Sequence, residues 1–396
     1  MADSPFVIDK AYLTQTLADL IRINSVNPSL SPTGSGEAEA GAYVAAALAA
    51  LGLRVTTYEL EPGRVNVVGV LPGSGGGRSL LLNAHLDTVG VEGMTIDPFA
   101  AEIREGRMYG RGAQDMKGSL AAMLAATKAL VESGLSLAGD LIVTAVADEE
   151  YLSMGTEALV GVVQADAAIV TEPTGMRLAR AHRGMIWYRV ETFGRAAHGS
   201  RYQDGVDANM HMGRFLARLD RLEQALRRRP GHPLTGPPSL HAPIIHGGRE
   251  MSIYADRCVL NVERRIAPGE TEAQNTAELQ SILDELSSAD PTFRGELTVM
   301  VARAPFVVAD DAPIVQALEE ALAQRLGVRH PHVGMPFWTD AALLSAAGME
   351  TALLGPIGHG LHSAVEWVDL ASLADLAEVL AETARRYCGR ADRTMV

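Results

Sequence analysis

The sequence predicts an α/β protein: a mixed, largely parallel sheet flanked by helices, interrupted by a second unit of ferredoxin-like α+β type. Three observations predict it. Short continuous apolar runs, RSLLLNAHL, DLIVTAVAD and ADAAIVTEP, read as strands covered on both faces. Segments of helical period separate such runs, the alternation from which α/β sheets are built. From about Arg183 the pattern changes to β-α-β-β-α-β, the order of a ferredoxin-like unit.

Taken in order, KAYLTQTLADLIRIN has apolar residues at helical spacing, and NPSLSPTGSGE is a loop rich in Pro, Ser and Gly. AEAGAYVAAALAALG is a second helix ending at Gly52; RVTTYEL and RVNVVGVLPG are short, β-branched strands. After the turn PGSGGG and the strand RSLLLNAHL comes the helix KGSLAAMLAATKALVESG, stopped at Gly134, then the two remaining apolar strands. Beyond Arg183, MIWYRVETFG, SLHAPIIHGG, RCVLNVERRI and GELTVMVAR are strands, and VDANMHMGRFLARLDRLEQAL and TEAQNTAELQSILDELSS are helices. The expected division is residues 1–182 and 303–396 as one discontinuous domain, with 183–302 set into it.

Two domains also follow from length, since 396 residues exceed one compact core. Hydrophobic residues make up 47% and charged residues 21%, which excludes a disordered chain. The net charge of -14 argues against a nucleic-acid partner. Only Cys258 and Cys388 occur, so there is no disulfide framework or cysteine-type zinc site. MADSPFVIDKAYL does not read as a signal peptide, and no stretch is apolar enough to span a bilayer. A cytoplasmic protein without membrane attachment is expected.

Five motifs stand at the tips of apolar runs: LLLNAHLDTV (His85, Asp87), GRGAQDMKG (Asp115), TAVADEEY (Glu149, Glu150), AIVTEPTG (Glu172) and GHGLHSAVE (His362). Functional residues of such sheets gather beyond the carboxyl ends of strands. Hard carboxylates with two imidazoles form a donor set suited to a pair of divalent metals, and such a pair activates water for hydrolysis. Residues two apart on a strand share a face, so Asp87 is placed to orient His85; a purely structural pair fits the motif equally well. Asp115 precedes a helix, where it either caps the helix or bridges two cations. Adjacent acids after an apolar strand repel unless cations or protons compensate; an exposed acidic turn is the plainer reading. We assign Glu150 to a metal and Glu149 to proton transfer. Glu172 either starts a turn or binds metal, and His359 competes with His362 as a ligand.

With these motifs, the AHGS segment, ERRIAPGE, TDAALL and the closing GLHSAVEWV, the chain resembles the co-catalytic zinc hydrolases. That family includes acetylornithine deacetylase, succinyl-diaminopimelate desuccinylase, aminoacylase and glutamate carboxypeptidase. The resemblance covers nearly the whole chain. It implies a zinc-peptidase-like catalytic domain with an inserted dimerisation domain, and two Zn2+ per subunit, with Co2+ or Mn2+ also accommodated. His85, Asp115 and Glu172 would hold one ion, and Asp115, Glu150 and His362 the other. Glu149 would be the general acid/base, with Asp87 orienting His85. The Asp115–Met116 peptide would be cis.

By the same resemblance His198, in GRAAHGSRYQDG, would reach the partner's active site in a homodimer and stabilise an oxyanion. Otherwise it is a surface histidine. Arg265 would bind a substrate carboxylate, a task suited to a guanidinium fork; strand neighbours face opposite sides, so Arg264 could instead be surface charge. The implied substrate is an N-acyl amino acid, with dipeptide or glutamate-carboxypeptidase-like hydrolysis as the alternative. Outside the enzymes, a binding protein that kept this fold would have lost Glu149 or a ligand, and every such position is filled.

Overall fold

The structure, a computed structural model, describes residues 6–390; residues 1–5, part of the N-terminal stretch read above as carrying no leader, lie outside the described residues. The chain forms two compact units. One comprises the chain up to Arg180, Val308–Val333, and the chain from Thr339 onward; the other comprises Ala181–Val307 and Gly334–Trp338.

The first unit is built on a mixed sheet. Its strands run in the order Arg54–Glu61, Arg64–Leu71, Leu141–Val146, Leu80–His85, Ala167–Val170 and Glu350–Leu353. Leu80–His85 lies between Leu141–Val146 and Ala167–Val170 and is parallel to both. All three are buried along their full length, which is why they read as continuous apolar runs and not as alternating ones. Each large aliphatic side chain enclosed there contributes about 1.5–3 kcal/mol. Three parallel neighbours end on the same side, so the residues that follow His85, Val146 and Val170 meet there.

The helices follow their sequence signals. Lys10–Arg22 starts where the Asp9 carboxylate accepts the Tyr12 N–H at 2.9 Å, and it buries Leu13, Leu17, Leu20 and Ile21 along one stripe. Gly118–Glu132 and Leu370–Cys388 pack against each other and enter the same core. Gly118–Glu132 is buried on nearly all sides, as its alanine-rich sequence allows. A small antiparallel sheet, in the order Gly358–His359, Trp367–Asp369, Arg107–Tyr109 and Glu102–Arg104, joins the loops that carry Asp115 and His362. Strands of two or three residues have no readable period, so this sheet is not apparent in the sequence.

In the second unit the strands Ser239–Gly247, Arg257–Ile266, Gly184–Phe193 and Arg294–Arg303 lie side by side in that order, antiparallel throughout. Buried positions alternate along Gly184–Phe193 and Arg257–Ile266, and the buried set packs with Phe215, Leu219, Leu279 and Leu283 from the helices Ala208–Leu226 and Glu272–Ala289. That alternation corrects one expectation. Arg264 is no surface charge: it points to the helix side, fully buried, with Nη2 3.0 Å from Glu278 and 3.4 Å from Glu270. Gly334–Trp338 joins this unit through Trp338, whose indole N–H donates to the Ala304 carbonyl at 3.0 Å. Cys258 and Cys388 are both buried and unpaired. Among the described residues no helix is long and apolar enough to cross a membrane.

Candidate metal centre

His85 is the last residue of its strand, Glu149 and Glu150 follow the end of Leu141–Val146, and Glu172 follows Ala167–Val170. Behind Glu172 the backbone of Gly355 comes so close that a Cβ there would sit 2.0 Å from the Glu172 carbonyl oxygen. Asp115 lies in the kinked turn Ala113–Lys117 that leads into Gly118–Glu132, and the Asp115–Met116 peptide is cis. Gly112 opens that turn in the left-handed region at φ 79, a conformation that favours glycine. His362 sits at φ 56, sparsely populated for any side chain and a frequent property of functional positions.

These residues form two donor sets that share Asp115. His85, Asp115 and Glu172 make one; Asp115, Glu150 and His362 make the other; in each set the donor atoms lie within 4.8 Å of one another. The two oxygens of Asp115 are divided between them. Oδ1 is 3.1 Å from His85 Nε2, and Oδ2 is 3.4 Å from His362 Nε2. His362 Nε2 is also 2.9 Å from Glu150 Oε2, and His85 Nε2 is 3.8 Å from Glu172 Oε1. His359 belongs to neither set; it is exposed and stacks on Trp367 with ring centroids 6.0 Å apart.

His85 donates Nδ1–H to the backbone carbonyl of Asp87 at 2.8 Å, which leaves Nε2 directed at the acids. The Asp87 carboxylate stands farther off, 3.7 Å from Nδ1. Its two oxygens accept the Glu149 N–H at 3.1 Å and the Glu150 N–H at 3.2 Å, with Asn27 donating to the second at 2.8 Å. Asp87 therefore holds the Glu149–Glu150 turn as well as flanking the imidazole. Asn27 donates also to Asp148 at 2.9 Å; Asp148 accepts Arg64 at 2.8 Å, and Arg64 pairs with Glu37 at 2.6 Å. All four side chains of this chain of bonds are buried. Asp340, buried and accepting from Thr156 at 2.6 Å, lies near enough to raise the proton affinity of Glu149 and Glu172.

The electrostatics follow from so many acids in one enclosure. Burial, then the Glu172 charge, pushes Glu149 well above the usual carboxylate range. Burial and the Asp115 charge raise Glu172 strongly and bring Glu150 to about 7. Burial alone would raise Asp115 too, but hydrogen bonds from His362 and His85 outweigh it and hold Asp115 low. Hydrogen bonds to Asp115 and Glu150 lift His362 to about 10. Two carboxylate oxygens in the sets, Glu150 Oε1 and Glu172 Oε1, are buried without a hydrogen-bond partner. A buried anionic oxygen with no donor is costly, and a cation satisfies it. The chemistry of the donors, three carboxylates and two imidazoles, fits two divalent ions.

Two expected residues lie in the second unit. His198 is exposed on a loop, with Nδ1 2.8 Å from the Ser200 hydroxyl. Arg265 lies on the sheet face opposite the helices and pairs with Glu263 at 2.8 Å. Residues that the motif reading missed are Asn27, Glu37, Arg64, Asp148 and Asp340, together with Arg111 and Glu366. The available signal was polar residues set within apolar runs, as in RVNVVGV and AVEWV.

A family model described as peptidase family M20/M25/M40 matches residues 81–386. The acetylornithine deacetylase of Myxococcus xanthus is 31% identical over 332 residues, 82% of this chain and 85% of that protein. The N-formyl-4-amino-5-aminomethyl-2-methylpyrimidine deformylase of Bacillus subtilis (strain 168) is 29% identical over 380 residues, 88% of this chain and 89% of that protein. Among solved structures, an aminopeptidase from Bacillus cereus shares the fold at a TM-score of 0.79 and 20% identity, covering 96% of this chain and 100% of the other.

The raised proton affinities predict how metal binding depends on pH. Without metal, Glu150 keeps its proton up to about 7 in the folded state. The unfolded chain releases it near the ordinary value, so stability falls as pH rises between the two. For His362, stability is present below its ordinary value and is lost as pH rises toward about 10. Both contributions weaken the metal-free protein as pH rises, while metal binding needs both groups deprotonated. The gain in melting temperature on adding zinc to chelator-stripped protein is expected to grow from pH 5 to pH 8. A gain that is constant or shrinks over that range would contradict this.

Proposed function

This chain belongs to peptidase family M20/M25/M40 and is thus a metal-dependent hydrolase of amide or peptide bonds, and we propose that it removes the acyl group from an N-acyl amino acid. The observation that carries the proposal is the pair of donor sets sharing Asp115, with Glu149 beside them. His85, Asp115 and Glu172 would hold one Zn2+, and Asp115, Glu150 and His362 a second, with Co2+ or Mn2+ able to take their places. When bound, such ions supply Lewis acidity toward the scissile carbonyl and make water acidic enough to ionise near neutrality.

The chain's own groups do the rest. Glu149 accepts a proton from the attacking water and passes it to the leaving nitrogen. Burial raises its proton affinity above that of an exposed carboxylate, which favours holding the proton between the two transfers. Asp87 fixes the turn on which Glu149 stands. Arg265 would receive the substrate carboxylate, and His198 of the partner subunit the oxyanion. A homodimer is supported by the strand Ser239–Gly247, which lies at the edge of the second unit's sheet with Ile244 46% and Ile245 49% exposed. The cytoplasm is the proposed setting; two free cysteines accord with a reducing compartment. For substrate, support comes from the relatives named acetylornithine deacetylase, at 28–31% identity, and from the deformylase, which also removes an N-acyl group.

Glu149→Ala is expected to bind two zinc ions per chain yet lose about 10²–10⁴-fold in turnover; two bound ions with full turnover would remove Glu149 from the role of base. A panel of N-acetyl, N-formyl and N-succinyl amino acids and dipeptides, assayed with zinc or cobalt against a chelated control, should favour the acyl amino acids. Preference for dipeptides would replace the deacylase reading with a dipeptidase. Light scattering is expected to give twice the chain mass, and a monomer at assay concentration would leave His198 without its proposed role.

A further inference from the structure

Glu366 is fully buried and stands four residues past His362. Its carboxylate takes four donors. Oε2 accepts Arg111 Nη1 at 2.8 Å and the Gly112 N–H at 3.0 Å; Oε1 accepts the Gln114 N–H at 2.8 Å and the Asp115 N–H at 3.0 Å. Arg111, equally enclosed at 3% exposure, donates Nη2 to the Ser363 carbonyl at 3.2 Å and Nε to the Gly90 carbonyl at 3.1 Å. One buried ion pair therefore grips the backbone of Asp115 on one side and the residue after His362 on the other.

The two donor sets differ in how else they are held. His85 ends a buried strand and Glu172 closely follows one, each with parallel neighbours. His362 sits on a loop with its side chain 53% exposed. Beyond the turn's own bonds, that loop is tied by the Thr95 N–H to the Ala364 carbonyl at 2.9 Å, by the Gly110 N–H to the Glu366 carbonyl at 3.2 Å, by the pairing of Trp367–Asp369 with Arg107–Tyr109 and, next to His362 itself, by the Arg111–Glu366 pair. We infer that Arg111 and Glu366 are positioning residues for the Asp115–Glu150–His362 set, so that disrupting the pair weakens the ion at that set far more than the ion at His85–Asp115–Glu172. This rests on the two-ion reading above. Residues that orient metal ligands typically account for about 10–100-fold in affinity.

The test is zinc titration calorimetry on the metal-stripped full chain, comparing wild type with Glu366→Gln and Arg111→Lys, with circular dichroism to establish folding. Wild type is expected to take up two ions. Each variant should keep one ion near wild-type affinity and bind the second about 10–100-fold more weakly, with activity restored by raised zinc. Arg111→Lys keeps the charge but cannot reach all three partners, so it carries the test if Glu366→Gln does not fold. Equal weakening of both ions would mean general loosening, and an unchanged second ion would mean no role; either overturns the inference. A wild type that binds fewer than two ions overturns the two-ion reading itself, whatever the variants do.

Discussion

Carboxyl groups of Asp87, Asp115, Glu149, Glu150 and Glu172, with Asp340 close by, are drawn together where three parallel strands end. Like charges so placed repel, and in an enclosure of low polarity the repulsion is poorly screened. The fold meets it in three ways. Some acids are tied down by neutral or cationic donors, as Asp87 is by Asn27 and two backbone N–H groups. Others hold protons at pH values where exposed acids would not. Asp115, Glu150 and Glu172 turn toward His85 and His362, and one oxygen each of Glu150 and Glu172 has no hydrogen-bond donor. The same arrangement that makes the metal-free site costly makes it receptive to cations.

The surrounding architecture serves to hold that arrangement. On one flank, Glu37, Arg64, Asp148 and Asn27 form a line of buried bonds ending on Asp87. On the other, Arg111 and Glu366 tie the Asp115 turn to the His362 loop. Breaking either by removing one partner strands a buried charge, which in general costs about 3–5 kcal/mol. Such pairs are weak contributors to stability compared with apolar packing, and their presence beside the site is better understood as fixing geometry. The positive φ at Asp148 and His362 belongs to the same pattern, since strained backbone is kept where the surroundings over-determine it.

Much of this was legible in the sequence because it depends on local signals. Continuous apolar runs marked the three buried strands, and each acidic or histidine tip followed from where a run stopped. The half-buried alternation of the second unit was readable for the same reason. What escaped was whatever depends on distant pairing. Arg64 opens an apolar strand and looks like a surface charge until Glu37 and Asp148 fold onto it. Glu366 sits between apolar neighbours, and only the folded loop brings it to the Asp115 N–H. Arg264 looks like a candidate surface charge in the sequence, because alternation tells which neighbours face opposite sides but not which side is the core. The choice between His362 and His359 needed the small sheet, whose strands are too short to show a period.

We propose that Asp115 is shared by two ions. Anomalous diffraction from crystals of the zinc-loaded protein tests it most directly. Two zinc peaks about 3.5–4 Å apart are expected, one on each side of the Asp115 carboxylate, with His85 and Glu172 against one and Glu150 and His362 against the other. A single peak, or peaks away from Asp115, would contradict it.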